Sequence, residues 1–174
     1  MTLINVILLN VLWFTCVLGA ANDLLWPGFV VLLVLIGINI YKKSLNKIDV
    51  KIVLFSIIFG LVIDGILHAR GMVNYELKIL DAAFLPPIWI MILWVGFGAT
   101  VRTGMQWLLN HPKIGAMFML IGAPLSYVSA AKLGAAQIPV LWHAMSFIGI
   151  SWLVYFVFIV WFTQQDKDSS DAIV

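Results

Sequence analysis

Ile52-Val53-Leu54-Phe55-Ser56-Ile57-Ile58-Phe59-Gly60-Leu61-Val62-Ile63-Asp64-Gly65-Ile66-Leu67-His68 is the stretch on which the fold of this chain turns. Asp64 is its one acidic residue, and the run is close to the roughly 20 apolar residues that a helix needs to cross a ~30 Å bilayer core. Ser56, Gly60, Asp64 and His68 recur every fourth residue, which places them on one face of a helix. At about 1.5 Å per residue, Asp64 lies roughly 18 Å from Ile52, in the outer third of such a core. A carboxyl group at that depth is expensive, so the position is read as a functional site before it is read as packing.

The rest of the chain fits that reading. It has 174 residues, of which 63% are hydrophobic and 10% charged, whereas soluble domains are about half apolar and about a quarter charged. Long apolar runs with short charged loops mean an all-α, polytopic transmembrane helix bundle. About six spans are expected, all helical because an open sheet edge has no partner in lipid. They run over Leu3–Ala20, Leu24–Tyr41, Ile52–Leu67, Pro86–Val101, Ile114–Ala131 and Val140–Phe162. The first ends in Gly19-Ala20-Ala21, which suits a signal peptidase, but no Lys or Arg precedes it, so it is read as a retained span. The fourth opens with Pro86-Pro87, suited to a first helical turn, and is expected to be tilted or preceded by a re-entrant stretch. Residues 1–163 are read as one bundle domain and 164–174 as a disordered polar tail carrying Asp166, Asp168 and Asp171.

Orientation follows the basic residues. Lys42, Lys43, Lys47, Lys51, Arg102, Lys113 and Lys167 fall on one side, and Arg70, Lys78 and Lys132 on the other. This asymmetry puts both termini in the cytoplasm. A net charge of +2 with no basic patch argues against nucleic acid as a partner. The single cysteine, Cys16, is read as a small packing residue.

Tyr127 falls at about the depth of Asp64, and its hydroxyl needs a polar partner. His143 lies one turn past Pro139, in the outer part of the sixth span, with Ser146 and Gly149 continuing its face. These residues, with Asp64 and His68, form the candidate site. The competing account has Asp64 bonding a neighbouring helix or Arg70 and holding the bundle together. Gly122, Ser126, Ala130 and Gly134 form a small-residue stripe, read as a place where another helix packs closely on a central fifth span. Pro124 is expected to kink that span, and Lys132 to reach for headgroups. Trp26, Trp107, Trp142 and Trp161 suit an interfacial belt, while Trp13, Trp89, Trp94 and Trp152 are deeper and suit the wall of an apolar pocket. Asn10 and Asn39 are expected to bond between helices. No paired histidines with metal-ligand spacing occur, and neither a metal nor a cofactor is expected. Nucleophile elbow, phosphate-binding loop and dinucleotide fingerprint are all missing.

The chain also resembles a bacterial inner-membrane family known only as a domain of unknown function. The resemblance rests on Trp13-Phe14 with Val17-Leu18-Gly19-Ala20-Ala21, on Asp64 with Leu67 and Gly71, on Pro87-Ile88-Trp89 with Leu93-Trp94, and on Gly122-Ala123-Pro124-Leu125-Ser126-Tyr127 with Leu133-Gly134-Ala135. It implies a small multi-pass protein of the bacterial inner membrane and transfers no catalytic role.

Three functional readings stay open. In the first, the bundle binds, and in an enzymatic version modifies, a lipid or amphipathic molecule. Asp64 would be acid/base or anchor, Tyr127 and His143 would orient the ligand, and His68 would stand at the mouth. In the second it is a proton-coupled transporter with Asp64 as carrier site. In the third it is a non-catalytic subunit that binds a protein partner. The topology is directly testable. Reporters active only in the periplasm should be silent when fused at Val174 and active near Asn74, and strong activity at Val174 would overturn the orientation.

Overall fold

The computed structural model describes residues 2–77 and 84–171. It is a helical bundle built from α1 (Thr2–Ala21), α2 (Trp26–Tyr41), α3 (Lys47–Ala69), α4 (Ile88–Gly104), the short α5 (Gln106–Asn110), α6 (Pro112–Lys132) and α7 (Leu141–Asp171). Two two-residue strands, β1 (Asn74–Tyr75) and β2 (Ala136–Gln137), complete it. Four helices are long and apolar enough to cross a membrane: α1, α3, α6 and α7. Helices α2 and α4 are apolar but shorter. Together these six account for the six expected spans. The polar stretch expected as a tail from Gln164 begins as a continuation of α7 as far as Asp171. Residues 172–174, and Lys78 of the orientation argument, lie outside the described residues.

Local chemistry sets the helix ends. Trp26-Pro27 opens α2 and Pro112 opens α6, first-turn positions where a missing N–H costs nothing. At the start of α3 the Asn46 N–H donates to Asp49 Oδ2 at 2.8 Å. The other oxygen of Asp49 pairs with Arg102 Nε, also at 2.8 Å. An acid in the first turn of α3 therefore joins the last turn of α4, with the helix dipole assisting. Asp23, Lys43 and Gly71 turn the chain with positive φ just past α1, α2 and α3.

Packing runs in a curved row. Helix α4 packs on α1, α2 and α3, while α7 packs on α3 and α6. The Ser56 stripe of α3 faces inward as expected. Ser56 Oγ shares a 2.6 Å hydrogen bond with Tyr155 Oη of α7, and a Cβ placed on Gly60 would lie 2.3 Å from the Trp94 indole. On α1, Cys16 is buried against Gly28 of α2, which agrees with its reading as a packing residue. Asn5 and Asn39 exchange amide hydrogen bonds at 3.1 and 3.0 Å, and Asn5 also donates to Thr103 Oγ1 at 2.7 Å. Asn39 thus links helices as expected. Asn10 does not: it is exposed and donates to the Val6 carbonyl of its own helix.

The fifth span, α6, corrects one expectation. It sits at the end of the row, held chiefly by α7, and is not central. The close α6–α7 contact uses Gly115, against Phe156, and Gly149, against the Leu120 carbonyl. The Gly122 stripe instead faces α1, which Ser126 meets through Trp13 and Gly134 through Ala21, while Gly122 itself borders open space. A Cβ on Gly122 would meet nothing nearer than Phe118 of its own helix, at 3.7 Å. Pro124 is buried within a continuous α6. The strands β1 and β2 pair antiparallel, Asn74 with Gln137 and Tyr75 with Ala136, so the α3–α4 loop is tied to the α6–α7 loop over one end of the bundle.

A Cβ at Gly149 would stand 2.6 Å from the Leu120 backbone oxygen, which cannot rotate away. Gly149→Val should therefore cost about 1–3 kcal/mol, seen as a lower unfolding temperature in detergent. Gly122→Ala should melt like the unaltered chain. Equal melting of both variants would contradict this packing.

Candidate functional site

Asp64 is 0% exposed, one turn from the β-strand end of α3. Three side chains donate to its carboxylate. Tyr75 Oη of β1 reaches Oδ1 at 2.5 Å, Tyr127 Oη of α6 reaches the same oxygen at 2.7 Å, and Trp94 Nε1 of α4 reaches Oδ2 at 2.6 Å. Bonds of this length to a charged acceptor are the strong kind. They also explain how a carboxyl group is kept in the interior, since buried charge must be hydrogen-bonded. Burial, and then the Asp64 charge beside it, hold the Tyr75 phenol well above its ordinary range, so it remains a donor.

All three donors also line a cavity of about 540 Å³ enclosed by α1, α4, α5 and α6. That volume lies within the ~300–1,000 Å³ typical of ligand sites. Trp13, Trp89, Trp94 and Trp152, the four deep tryptophans, all line it. The belt set behaves otherwise: Trp26, Trp142 and Trp161 are exposed, and Trp107, also exposed, reaches the cavity rim. The stripe residues Gly122, Ser126 and Ala130 form part of the α6 wall. Near mid-length, Trp13 Nε1 of α1 donates to Ser126 Oγ of α6 at 2.9 Å. The rim carries half-exposed Phe14 of α1 and Phe118 of α6, so the cavity opens sideways between α1 and α6. Trp94 and Trp152 stack at 4.6 Å between ring centres at its back.

Of the four residues singled out from the sequence, Asp64 and Tyr127 are in direct contact. His68 is half-buried on the next turn of α3, its ring centre 6.1 Å from that of Tyr75, with a buried Nδ1 that has no hydrogen-bond partner among the described residues. His143 is exposed on α7 and does not line the cavity. The buried face of α7 is set by Ala144, Ile148, Tyr155 and Ile159, and His143 lies off that stripe. Arg70 and Lys132 are exposed at helix ends; among the described residues no cation pairs with Asp64. Among them, too, no three His, Cys, Asp or Glu side chains converge as metal ligands.

Sequence reasoning did not single out Tyr75. The available signal was a polar aromatic in a short loop just beyond a helix that carries an intramembrane acid.

Residues 2–158 match a family described as a protein of unknown function (DUF2878). The chain belongs to that family. No curated protein matches it, and no solved structure does. The family assignment brings no activity with it, so the site must be read from its own geometry.

The donors around Asp64 give a graded expectation. Asp64→Leu strands two phenols and an indole N–H, at about 1–3 kcal/mol for each buried group left without a partner, and should sharply lower the yield of folded protein. Asp64→Asn keeps an acceptor oxygen, and a phenol can turn to accept from the new amide, so its loss should be clearly smaller. Equal yields and melting temperatures for the two variants would mean that the three hydrogen bonds contribute nothing.

Proposed function

We propose that the bundle resides in the bacterial inner membrane and binds an amphipathic molecule through the side-opening cavity, without chemistry at Asp64. One observation carries this reading: an apolar, tryptophan-lined cavity whose polar groups cluster at one end, around Tyr75, Trp94 and Tyr127. A ligand with a tail and a polar end fits such a graded wall, because apolar contact supplies affinity and a few fixed polar groups supply orientation. The gap between α1 and α6 faces where lipid would lie, so the ligand need not cross water to enter.

Two features favour binding over catalysis. Asp64 has no exposed surface, and both its oxygens are engaged. Tyr127 is the half-buried group that meets the ligand, with Asp64 fixing its hydroxyl. A carrier path through the bundle is disfavoured, because on the far side of Asp64 the ring cluster of Phe55, Phe59, Trp94 and Tyr155 fills the interior. The lysine-rich side faces the cytoplasm in this reading.

Native mass spectrometry of the full chain released from a mild detergent tests the proposal. The unaltered protein should retain a bound amphiphile, and Gly122→Leu, which fills the cavity without touching α7, should lose it while remaining folded. Identical spectra from the two proteins would sink the reading.

A further inference from the structure

The Asp64 carboxylate is buried, with three neutral donors and, among the described residues, no cation. Its donors are themselves part of the cavity wall. Each is polarised by the bond it makes to the carboxylate, so the ionised form of Asp64 passes its negative charge towards the cavity surface. The phenol oxygens of Tyr75 and Tyr127 become better acceptors. The Trp94 indole is covered on one face by Gly60 and on the other by Trp152, so the open aromatic surface at this end is that of Trp89, Tyr75 and Tyr127. Tyr75 is in turn edge-on to Trp89, with ring centres 6.0 Å apart. Ring faces carry the negative end of the aromatic quadrupole, and walls of several rings are the usual receptor for ammonium groups.

Resting on the cavity reading above, we propose that the polar end of the ligand carries a positively charged nitrogen. It lies against Trp89, Tyr75 and Tyr127, with Asp64 behind them as its counter-charge. The occupant is an amphiphile drawn from the membrane. Asp64 lies close to the β-strand end of α3, so the nitrogen sits near that end of the bundle. The hydrocarbon then runs along the cavity past Val6, Phe118 and Leu108. An anionic head would meet the same charge and be rejected, and an uncharged one would gain only the apolar contact. Attraction between the nitrogen and the carboxylate is strong here because little water intervenes.

The test uses the full chain in an uncharged maltoside detergent, titrated with decyltrimethylammonium, decanol or decyl sulfate and followed by tryptophan fluorescence. The cation should bind at least about tenfold more tightly than the alcohol of equal chain length, and the sulfate most weakly. In Asp64→Asn the preference for the cation over the alcohol should fall to within about twofold. Gly122→Leu should abolish binding of all three. If decanol and the cation bind the unaltered chain equally, and Gly122→Leu abolishes both, the charge assignment falls while the cavity reading stands. If Gly122→Leu changes nothing, the cavity reading falls and takes the charge assignment with it. The comparison on the unaltered chain decides the matter even where Asp64→Asn fails to fold, and Tyr127→Phe then serves as the second variant, expected to narrow the preference. A full preference in a folded Asp64→Asn protein overturns the role given to the carboxylate.

Discussion

A single carboxylate with three hydrogen bonds organises one end of this bundle. Asp64 has no exposed surface and, among the described residues, no cationic partner, so a charge there is tolerable only while the Tyr75, Trp94 and Tyr127 donors point at it. Those donors come from a strand, from α4 and from α6, and through them one side group of α3 fixes the relative position of three other elements. The β1–β2 pair follows from the same requirement, since it holds Tyr75 above the end of α3. Helix α6 packs on α7 along one flank. Its other flank is held towards α1 and α3 by individual hydrogen bonds, from Trp13 to Ser126 and from Tyr127 to Asp64. The cavity is the space those spacers keep open.

Much of this was legible in the sequence, for physical reasons. Helical spans have to satisfy their backbone internally, so apolar run length gave their number. The four-residue period of Ser56, Gly60, Asp64 and His68 marked an inward face, because a polar group in lipid has to find protein. The division of the tryptophans into rim and interior followed from their distance to the span ends. What stayed hidden depended on the register between helices. Trp94 was placed at the right depth, but its indole N–H meets Asp64 only because Gly60 lets the ring lie flat against α3. Asn39 was recognised as a linking residue, yet its partner is Asn5, which shares the buried face of α1 with Leu12 and Cys16. Asn10 points to the open side. A stripe of small residues carries two meanings: it admits a neighbouring helix or leaves room for something else. Gly122 does the second while Ser126 and Gly134 of the same stripe meet α1, and nothing in the spacing tells the two apart.

The two ends of α3 treat their acids in opposite ways. Asp49 meets Arg102 and a helix N-terminus, so its charge is neutralised where it stands. Among the described residues Asp64 is met only by dipoles, which spread charge without cancelling it. The first arrangement fastens α3 to α4. The second fastens as well, but leaves a field that reaches into the cavity.

The sequence positions of the Asp64 donors have a consequence for how the protein is made. Tyr75 is synthesised soon after Asp64, Trp94 a full helix later, and Tyr127 only with α6. When α3 first enters the bilayer, its carboxyl group has no donor at all. A chain that stops before α6 therefore holds an acid that has never been fully coordinated.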